Sequence, residues 1–143
     1  MKALLLAAMP VVLMDGTAPD FNRWLQIEPD IAAAVECRQT LPMHALDDIA
    51  PNAPGSWLLA PARSFTVFGL PVKRIELFID PDGELGASYT AVIEKRSLEQ
   101  VHKQLKLASQ RGRIGQLSAD QPGAEVQVSC TEVWQGQNVG NSC

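Results

Sequence analysis

Residues 72–93 read VKRIELFIDPDGELGASYTAVI, and their pattern decides the fold. Apolar side chains recur at every second position through Ile75, Leu77 and Ile79, which is typical of a strand with one buried face. The four residues DPDG at 80–83 predict a tight turn, because proline presets one backbone angle and glycine tolerates the left-handed conformation. Alternation resumes over residues 85–93. The stretch therefore predicts a β-hairpin.

A helix and a further strand follow this hairpin. Ser97 and Gln100 form a capping box, and an apolar stripe continues over residues 98–109, which predicts an amphipathic helix. Residues 125–134 alternate again and predict a last strand. The order strand, strand, helix, strand makes residues 64–143 a ββαβ core. We expect an α+β fold, an antiparallel β-sheet with helices packed on one face.

The preceding residues, 19–63, predict an N-terminal helical arm and a proline-rich loop. Asp20 can cap a first helical turn, Pro29 is expected to end it, and a second helix is expected from Asp30 to about Thr40. Four prolines between residues 41 and 63 oppose regular helix and leave room for a short extended piece at 57–59. Residues 19–143 are expected to form one domain.

Residues 1–18 have the order of a secretion signal. Lys2 precedes an apolar run of 12 residues, and Gly16 and Ala18 supply the small side chains of a cleavage site. The run is shorter than the roughly 20 residues of a membrane-spanning helix, so no stable membrane anchor is expected. The alternative is a buried N-terminal helix or strand. The signal predicts a periplasmic or secreted protein.

Three cysteines, Cys37, Cys130 and Cys143, allow one disulfide in an oxidising compartment. The preferred pairing is Cys130 with Cys143, because it would tie the glycine- and asparagine-rich C-terminal segment to its strand. The alternative, Cys37 with Cys130, would close a longer loop and remove more entropy from the unfolded chain. The spacing fits no zinc motif, and no metal site is expected.

Charge is distributed unevenly along the chain, whose net charge is −4. Six acidic and two basic residues lie between Asp20 and Asp48, and six basic residues and one acidic residue lie between Lys95 and Arg113. The basic residues have no interleaved aromatics, which argues against nucleic-acid binding. We expect partner binding through the turn and the basic helix; the residues are Asp80, Asp82, Glu84, Lys95, Arg96, Lys103 and Lys106. Alternatively, the basic residues compensate the charge of the acidic N-terminal third of the same chain.

Catalytic motifs are missing from the sequence. It contains no nucleophile turn, phosphate-binding glycine loop or dinucleotide fingerprint. His102 follows a core position on its helix, and His44 lies in the proline-rich loop, so neither indicates a general base. Asp80, Asp82 and Glu84 resemble the start of a calcium loop without its other ligands. We expect a non-enzymatic protein with no cofactor.

The chain is short, carries an export signal and an N-terminal helical arm, and has the segment FGLPV at 68–72 leading into a hairpin. In this general build it resembles small periplasmic immunity and inhibitor proteins of proteobacteria. The resemblance implies a protein partner, a toxin or hydrolase whose active site is blocked. The alternative is an envelope assembly or small-ligand-binding module. A large apolar pocket lined by the hairpin would favour ligand binding, and a flat or protruding polar surface would favour an inhibitor. The three tryptophans are expected in the core.

Overall fold

Two helices and an antiparallel sheet confirm the expected α+β fold class. The computed structural model describes residues 17–42, 44–107 and 114–134. In these residues, six strands form the sheet and two helices pack against it. The helices are α1 (Phe21–Val35) and α2 (Leu98–Leu107), and the strands are β1 (Ser56–Leu59), β2 (Thr66–Val67), β3 (Leu70–Ile79), β4 (Gly86–Ile93), β5 (Gln116–Asp120) and β6 (Val126–Val133).

The predicted hairpin is confirmed as the pair β3 and β4. Ile79 lies opposite Ala87, and the backbone N–H of Asp80 donates to the carbonyl of Gly86 at 3.0 Å to close the turn. Gly83 has the left-handed φ that its position requires, +71°. The strand order is β1-β3-β4-β6-β5, with β2 paired to the start of β3. The hairpin therefore forms the centre of the sheet.

One face of the sheet carries the hydrophobic core. Residues opposite one another in antiparallel strands share a face, and such a row runs through Leu77, Tyr89, Cys130 and Leu117. The core cluster joins this face to apolar side chains of both helices. The other face, which we call the open face, carries the intervening side chains of the same strands.

The expectation that Pro29 splits the N-terminal helix is wrong. Asp20 caps the helix as predicted, accepting from the backbone N–H of Arg23 at 2.9 Å, but α1 then continues through Pro29 to Val35. An interior proline costs about 3 kcal/mol. Trp24 and Ile31, on either side of it, are completely buried, and each such burial stabilises by about 1.5–3 kcal/mol. Packing therefore outweighs the local cost.

The preferred disulfide pairing, Cys130 with Cys143, is also wrong, because Cys130 is bonded to Cys37 with a Cα–Cα distance of 5.3 Å. The alternation of β6 points Cys130 into the core, where α1 ends. Cys37 stands just after that helix in a left-handed conformation, φ +65°. The bridge joins the end of α1 to the sheet across 93 residues. Cys143 lies outside the described residues.

The predicted capping box begins α2. Ser97 N–H donates to Oε1 of Gln100 at 2.8 Å, and Gln100 N–H donates to Oγ of Ser97 at 3.1 Å. The last predicted strand is confirmed as β6, but β5 was not predicted. Its sequence, QLSAD, has little β propensity, and the strand pairs with β6 only. Sheet pairing, rather than local propensity, makes it a strand.

The predicted signal segment falls almost entirely outside the described residues. Within it, Thr17 is joined to β1: its N–H donates to Leu58 and its carbonyl accepts from Ala60, both at 2.8 Å. In the described part of the chain, neither helix is long and apolar enough to cross a membrane.

Candidate functional site

A cavity of about 340 Å³ lies where the turn end of the hairpin meets the loop of residues 40–51. Its walls are mainly apolar and include three aromatic side chains, Trp57, Tyr89 and Trp134. The other lining residues are Thr40, Leu41, Leu46, Asp47, Ile49, Pro51, Gly55, Ile79, Asp80 and Pro81. We call this cavity the hairpin pocket. Apolar walls with a few polar groups are the usual form of a small-ligand site.

A buried carboxylate stands behind the wall of the hairpin pocket. Only 6 % of the surface of Glu132 is exposed. Its Oε2 accepts a hydrogen bond from the hydroxyl of Tyr89 at 2.8 Å. Its Oε1 accepts from the hydroxyl of Thr40 and from Nε1 of Trp134, each at 3.0 Å. Three lining residues are thus held by one carboxylate.

Tyr89 is both a donor and an acceptor in this network. Its hydroxyl donates to Glu132 and accepts from the backbone N–H of Leu41 at 3.3 Å. Burial raises the pKa of Tyr89 well above its usual value, and the hydrogen bond to the Glu132 carboxylate raises it further. The hydroxyl therefore stays protonated and keeps donating at any physiological pH.

Strand geometry explains why an acidic residue occupies this core-facing position. Glu132 is two residues beyond Cys130 on β6, so the two side chains share a face. Its partner across the ladder is Ala87, whose small side chain leaves space for a longer one. Thr40 and Leu41 reach the network because the Cys37–Cys130 disulfide holds the chain just before them against β6.

The loop that covers the pocket is anchored at three further points. The guanidinium of Arg23 donates to both oxygens of Asp48, at 2.6 to 3.0 Å, and to the carbonyl of Ala45. This pairing holds the pKa of Asp48 below its usual range. Nε1 of Trp57 donates to the carbonyl of Ile49 at 2.8 Å. With its loop held in this way, the pocket is preformed.

Of the three predicted acidic turn residues, only Asp80 lines the hairpin pocket. Its carboxylate accepts from the backbone N–H groups of Leu85 (2.7 Å), Glu84 (3.1 Å) and Asp82 (3.3 Å). These bonds, the one from Leu85 first, hold the pKa of Asp80 below its usual value. Asp82 and Glu84 are exposed on the turn. Asp80 thus orders the turn and places a negative charge at the pocket wall.

The four predicted basic residues lie far from that turn. Lys95 and Arg96 border a separate groove at the other end of the hairpin, and Lys103 and Lys106 are exposed on α2. The length of β4 separates the two ends by roughly 24 Å. The structure therefore does not join the predicted acidic and basic residues into one surface. No carboxylate in the described ranges forms a salt bridge with any of the four.

Both histidines are exposed, and each makes one side-chain contact at the protein surface. Nδ1 of His44 lies 3.2 Å from a carboxylate oxygen of Asp47, and Nε2 of His102 lies 3.2 Å from the carbonyl of Ala119. Across residues 17–42, 44–107 and 114–134, no three histidine, cysteine or acidic side chains gather in a way that could hold a metal ion.

Sequence reasoning missed the residues that build the pocket. Tyr89 falls within the predicted strand over residues 85–93 with nothing to mark it as a site residue, and Trp57 and Trp134 are among the tryptophans expected in the core. Glu132 offered one usable signal, a carboxylate in phase with the apolar residues of a strand. Such a residue needs buried donors, but the sequence does not say which. Thr40 and Leu41 carry no signal at all, since their role depends on the disulfide.

Comparison with known proteins adds no relative: no family model, no curated protein and no solved structure matches this chain.

Proposed function

We propose that this chain is an exported, non-enzymatic binding protein whose binding site is the hairpin pocket, and that the ligand is a small molecule with an apolar body. The observation that carries the proposal is the pocket itself, an apolar cavity of about 340 Å³ between Trp57, Tyr89 and Trp134. Its volume is at the small end of the range for ligand sites, about 300–1,000 Å³. A ligand with one substituted ring, or of similar size, would fill it.

Preorganisation supports binding over a chance void. Tyr89 and Trp134 are each hydrogen-bonded to Glu132, and Trp57 is bonded to Ile49, so the three aromatic rings are held before a ligand arrives. A site whose walls are already ordered loses less conformational entropy on binding. A ligand would therefore bind the hairpin pocket more tightly than it would bind the same residues in a disordered loop.

The bonding of two carboxylates at the pocket, Glu132 and Asp80, supports the non-enzymatic part of the proposal. Both oxygens of Glu132 accept hydrogen bonds from wall residues, and both oxygens of Asp80 accept from backbone N–H groups. A general base needs a free lone pair directed at the proton it removes. Here the carboxylates hold the walls in place.

Export is supported by two independent features. The Cys37–Cys130 bond is consistent with an oxidising compartment, where disulfides persist. The order of charge, apolar run and small residues over 1–18 is the pattern of a secretion signal. A periplasmic or secreted location follows from the two together.

Benzyl alcohol, a small neutral ring compound, is a suitable first probe. The indole N–H signals of ¹⁵N-labelled protein would be followed during titration. The two pocket tryptophans, Trp57 and Trp134, should shift and saturate. Trp24 serves as an internal reference because it is fully buried in the core against Phe65. Equal shifts at all three indoles, or none, would count against the proposal.

Two proline variants make a matched pair for this titration. Pro51 lines the hairpin pocket, whereas Pro54 is also exposed, three residues further along the chain, but does not line it. Pro51→Phe should place a ring in the pocket and abolish the saturable shift. Pro54→Phe should leave it unchanged. A loss in both variants would show that the loop, and not pocket occupancy, controls the response.

An inhibitor or immunity protein is the second candidate function. The feature that favours it is a set of exposed apolar side chains at the turn and on the open face, rather than the polar surface expected from the sequence. Leu85 is 65 % exposed and Val133 is 50 % exposed. They are neighbours, because Val133 pairs with Gly86, the residue after Leu85. Phe78, 39 % exposed, lies on the open face opposite Ser88. Neighbouring exposed apolar side chains such as Leu85 and Val133 can contribute to a protein-binding surface.

Capture from a periplasmic extract separates the two candidates. The Leu85→Glu variant changes the exposed surface, and Pro51→Phe changes the hairpin pocket. An inhibitor should retain its partner in Pro51→Phe and lose it in Leu85→Glu, as read by mass spectrometry of the captured proteins. A partner retained equally by both variants would contradict the surface proposed here.

A further inference from the structure

We infer that the ligand of the hairpin pocket is an organic cation, an ammonium group carried on a small apolar body. This inference rests on the proposed function and names its ligand class. Two observations carry it: the aromatic walls, and the negative sign of the charged residues that line the pocket in the described part of the chain.

The aromatic walls favour a cation over a neutral ligand. Trp57, Tyr89 and Trp134 line one cavity of about 340 Å³. The faces of aromatic rings are electron-rich and attract a cation within about 6 Å, by roughly 0.5–2 kcal/mol per contact. Tryptophan gives the strongest attraction of the three ring types. A cation between these rings can contact more than one of them.

Two of the rings are made more electron-rich by the buried carboxylate. Tyr89 and Trp134 both donate hydrogen bonds to Glu132. Donation to an anion polarises the donor, so negative charge accumulates on the ring. The same carboxylate lacks a cationic partner within this network, because its third donor is the neutral hydroxyl of Thr40. A ligand cation would offset part of the cost of burying that charge.

The charged lining residues have the same sign. They are Asp47 and Asp80, and among the residues that the structure describes no lysine, arginine or histidine lines the cavity. Asp80 keeps its negative charge because three backbone N–H groups favour the ionised form. Two bases have acidic partners beside the pocket: Arg23 is bonded to Asp48, and exposed His44 contacts the lining residue Asp47. In the described part of the chain, no base forms a salt bridge with Asp80. The negative charge of the lining carboxylates would attract a cation and repel an anionic ligand.

Choline and its neutral carbon isostere, 3,3-dimethylbutan-1-ol, test the inference directly. They have the same shape and differ in one charge. At constant ionic strength, choline should shift the Trp57 and Trp134 indole signals with an affinity at least about tenfold above that of the isostere, which corresponds to 1.4 kcal/mol. The anion 3,3-dimethylbutanoate should bind more weakly than either.

The source of the cation is tested by a second probe, Nα-acetyl-lysine N-methylamide. A free small-molecule ligand predicts that choline binds more tightly. A lysine side chain presented by a partner protein predicts that the lysine derivative does. Either result supports an ammonium ligand.

Charge-removing variants complete the experiment. Glu132→Gln should lower the affinity for choline several-fold more than that for the isostere, with the amide spectrum confirming the fold. Asp47→Asn, at an exposed position, should act in the same direction if Glu132→Gln is unstable. Asp82→Asn, exposed and outside the cavity, is the control.

Equal affinity for choline and the isostere would overturn the inference and leave the proposed function standing. No binding of choline, the isostere or benzyl alcohol would overturn both.

Discussion

Tyr89 and Glu132 are joined by a hydrogen bond of 2.8 Å across the centre of the sheet, between strands β4 and β6. They are not direct cross-strand partners, since Tyr89 pairs with Cys130 and Glu132 with Ala87. The bond is therefore diagonal, and it connects the disulfide-bearing row of the core to the hairpin pocket.

Tyr89→Phe tests the contribution of this bond to stability. The substitution keeps the ring and leaves two buried groups without a partner, Oε2 of Glu132 and the N–H of Leu41. An unpaired buried group costs about 1–3 kcal/mol. Because two groups lose their partner, we expect the free energy of unfolding, measured by urea denaturation, to fall by about 2 kcal/mol or more.

Thr90→Val is the matched control on the same strand. It removes the bond between Thr90 and Ser129, two neutral hydroxyls on the open face that lie 2.7 Å apart. The expected loss is about 1 kcal/mol or less. Equal losses in the two variants would contradict a special role for the carboxylate network.

Alkaline titration provides a second test, because Tyr89 is the single tyrosine of the chain. In the folded protein, absorbance at the tyrosinate wavelength should not rise until the pH is well above the ordinary tyrosine pKa of about 10. In denaturant, the midpoint should return to about 10.

The sign of the accompanying stability change follows from the raised pKa. Below about pH 10, both the folded and the unfolded chain hold the proton, and the contribution of Tyr89 is fully present. As the pH rises further, the unfolded chain loses the proton first, so the free energy of unfolding declines. A folded-state midpoint near 10 would mean that Tyr89 is not buried against Glu132.

Removing the disulfide should cost more than any single hydrogen bond. The bridge closes a loop with a sequence separation of 93 residues, for which chain entropy predicts about 4–5 kcal/mol, and measured losses are commonly about 2–5 kcal/mol. Cys37→Ser combined with Cys130→Ser should lower the urea midpoint accordingly. Cys143→Ser is the control and should leave it unchanged. A peptide map without reduction should show Cys37 linked to Cys130, and a link to Cys143 would refute the pairing.

Glycine substitutions test the packing of the turn end. A Cβ on Gly86 would stand 1.9 Å from the carbonyl oxygen of Glu132, at a φ of +143°. Gly86→Ala should therefore cost about 3 kcal/mol or more in the free energy of unfolding. Gly83→Ala meets nothing within 4 Å and has only the cost of φ +71°, about 1–2 kcal/mol. Similar losses of stability in the two variants would show that β4 and β6 leave room for a side chain at Gly86.

The central hairpin and the start of α2 were predictable because their signals are local. Period-two alternation on either side of DPDG indicates two strands and their connection, and the Ser97 and Gln100 capping box lies within four residues. The chemistry that forms these elements acts between near neighbours. The continuation of α1 through Pro29 and the strand β5 were not predicted, because there packing and strand pairing with distant residues override weak local preferences.

The hairpin pocket required contacts among four separate segments. Thr40, Trp57, Tyr89 and Glu132 are far apart in sequence, and each alone is an ordinary loop, strand or core residue. The Cys37–Cys130 bond, the diagonal placement of Tyr89 against Glu132, and the clamp of Arg23 on Asp48 bring the walls together.

The sequence by itself determined the fold class, the hairpin at its centre and the cap of each helix, because alternation, turn residues and capping side chains act over a few residues. Only the tertiary structure decided which cysteine Cys130 bonds, which donors surround the Glu132 carboxylate, and that three aromatic rings face one cavity. Those outcomes depend on which face of the sheet packs against which face of α1. That packing is made by residues far apart in sequence, so no short sequence pattern predicts it.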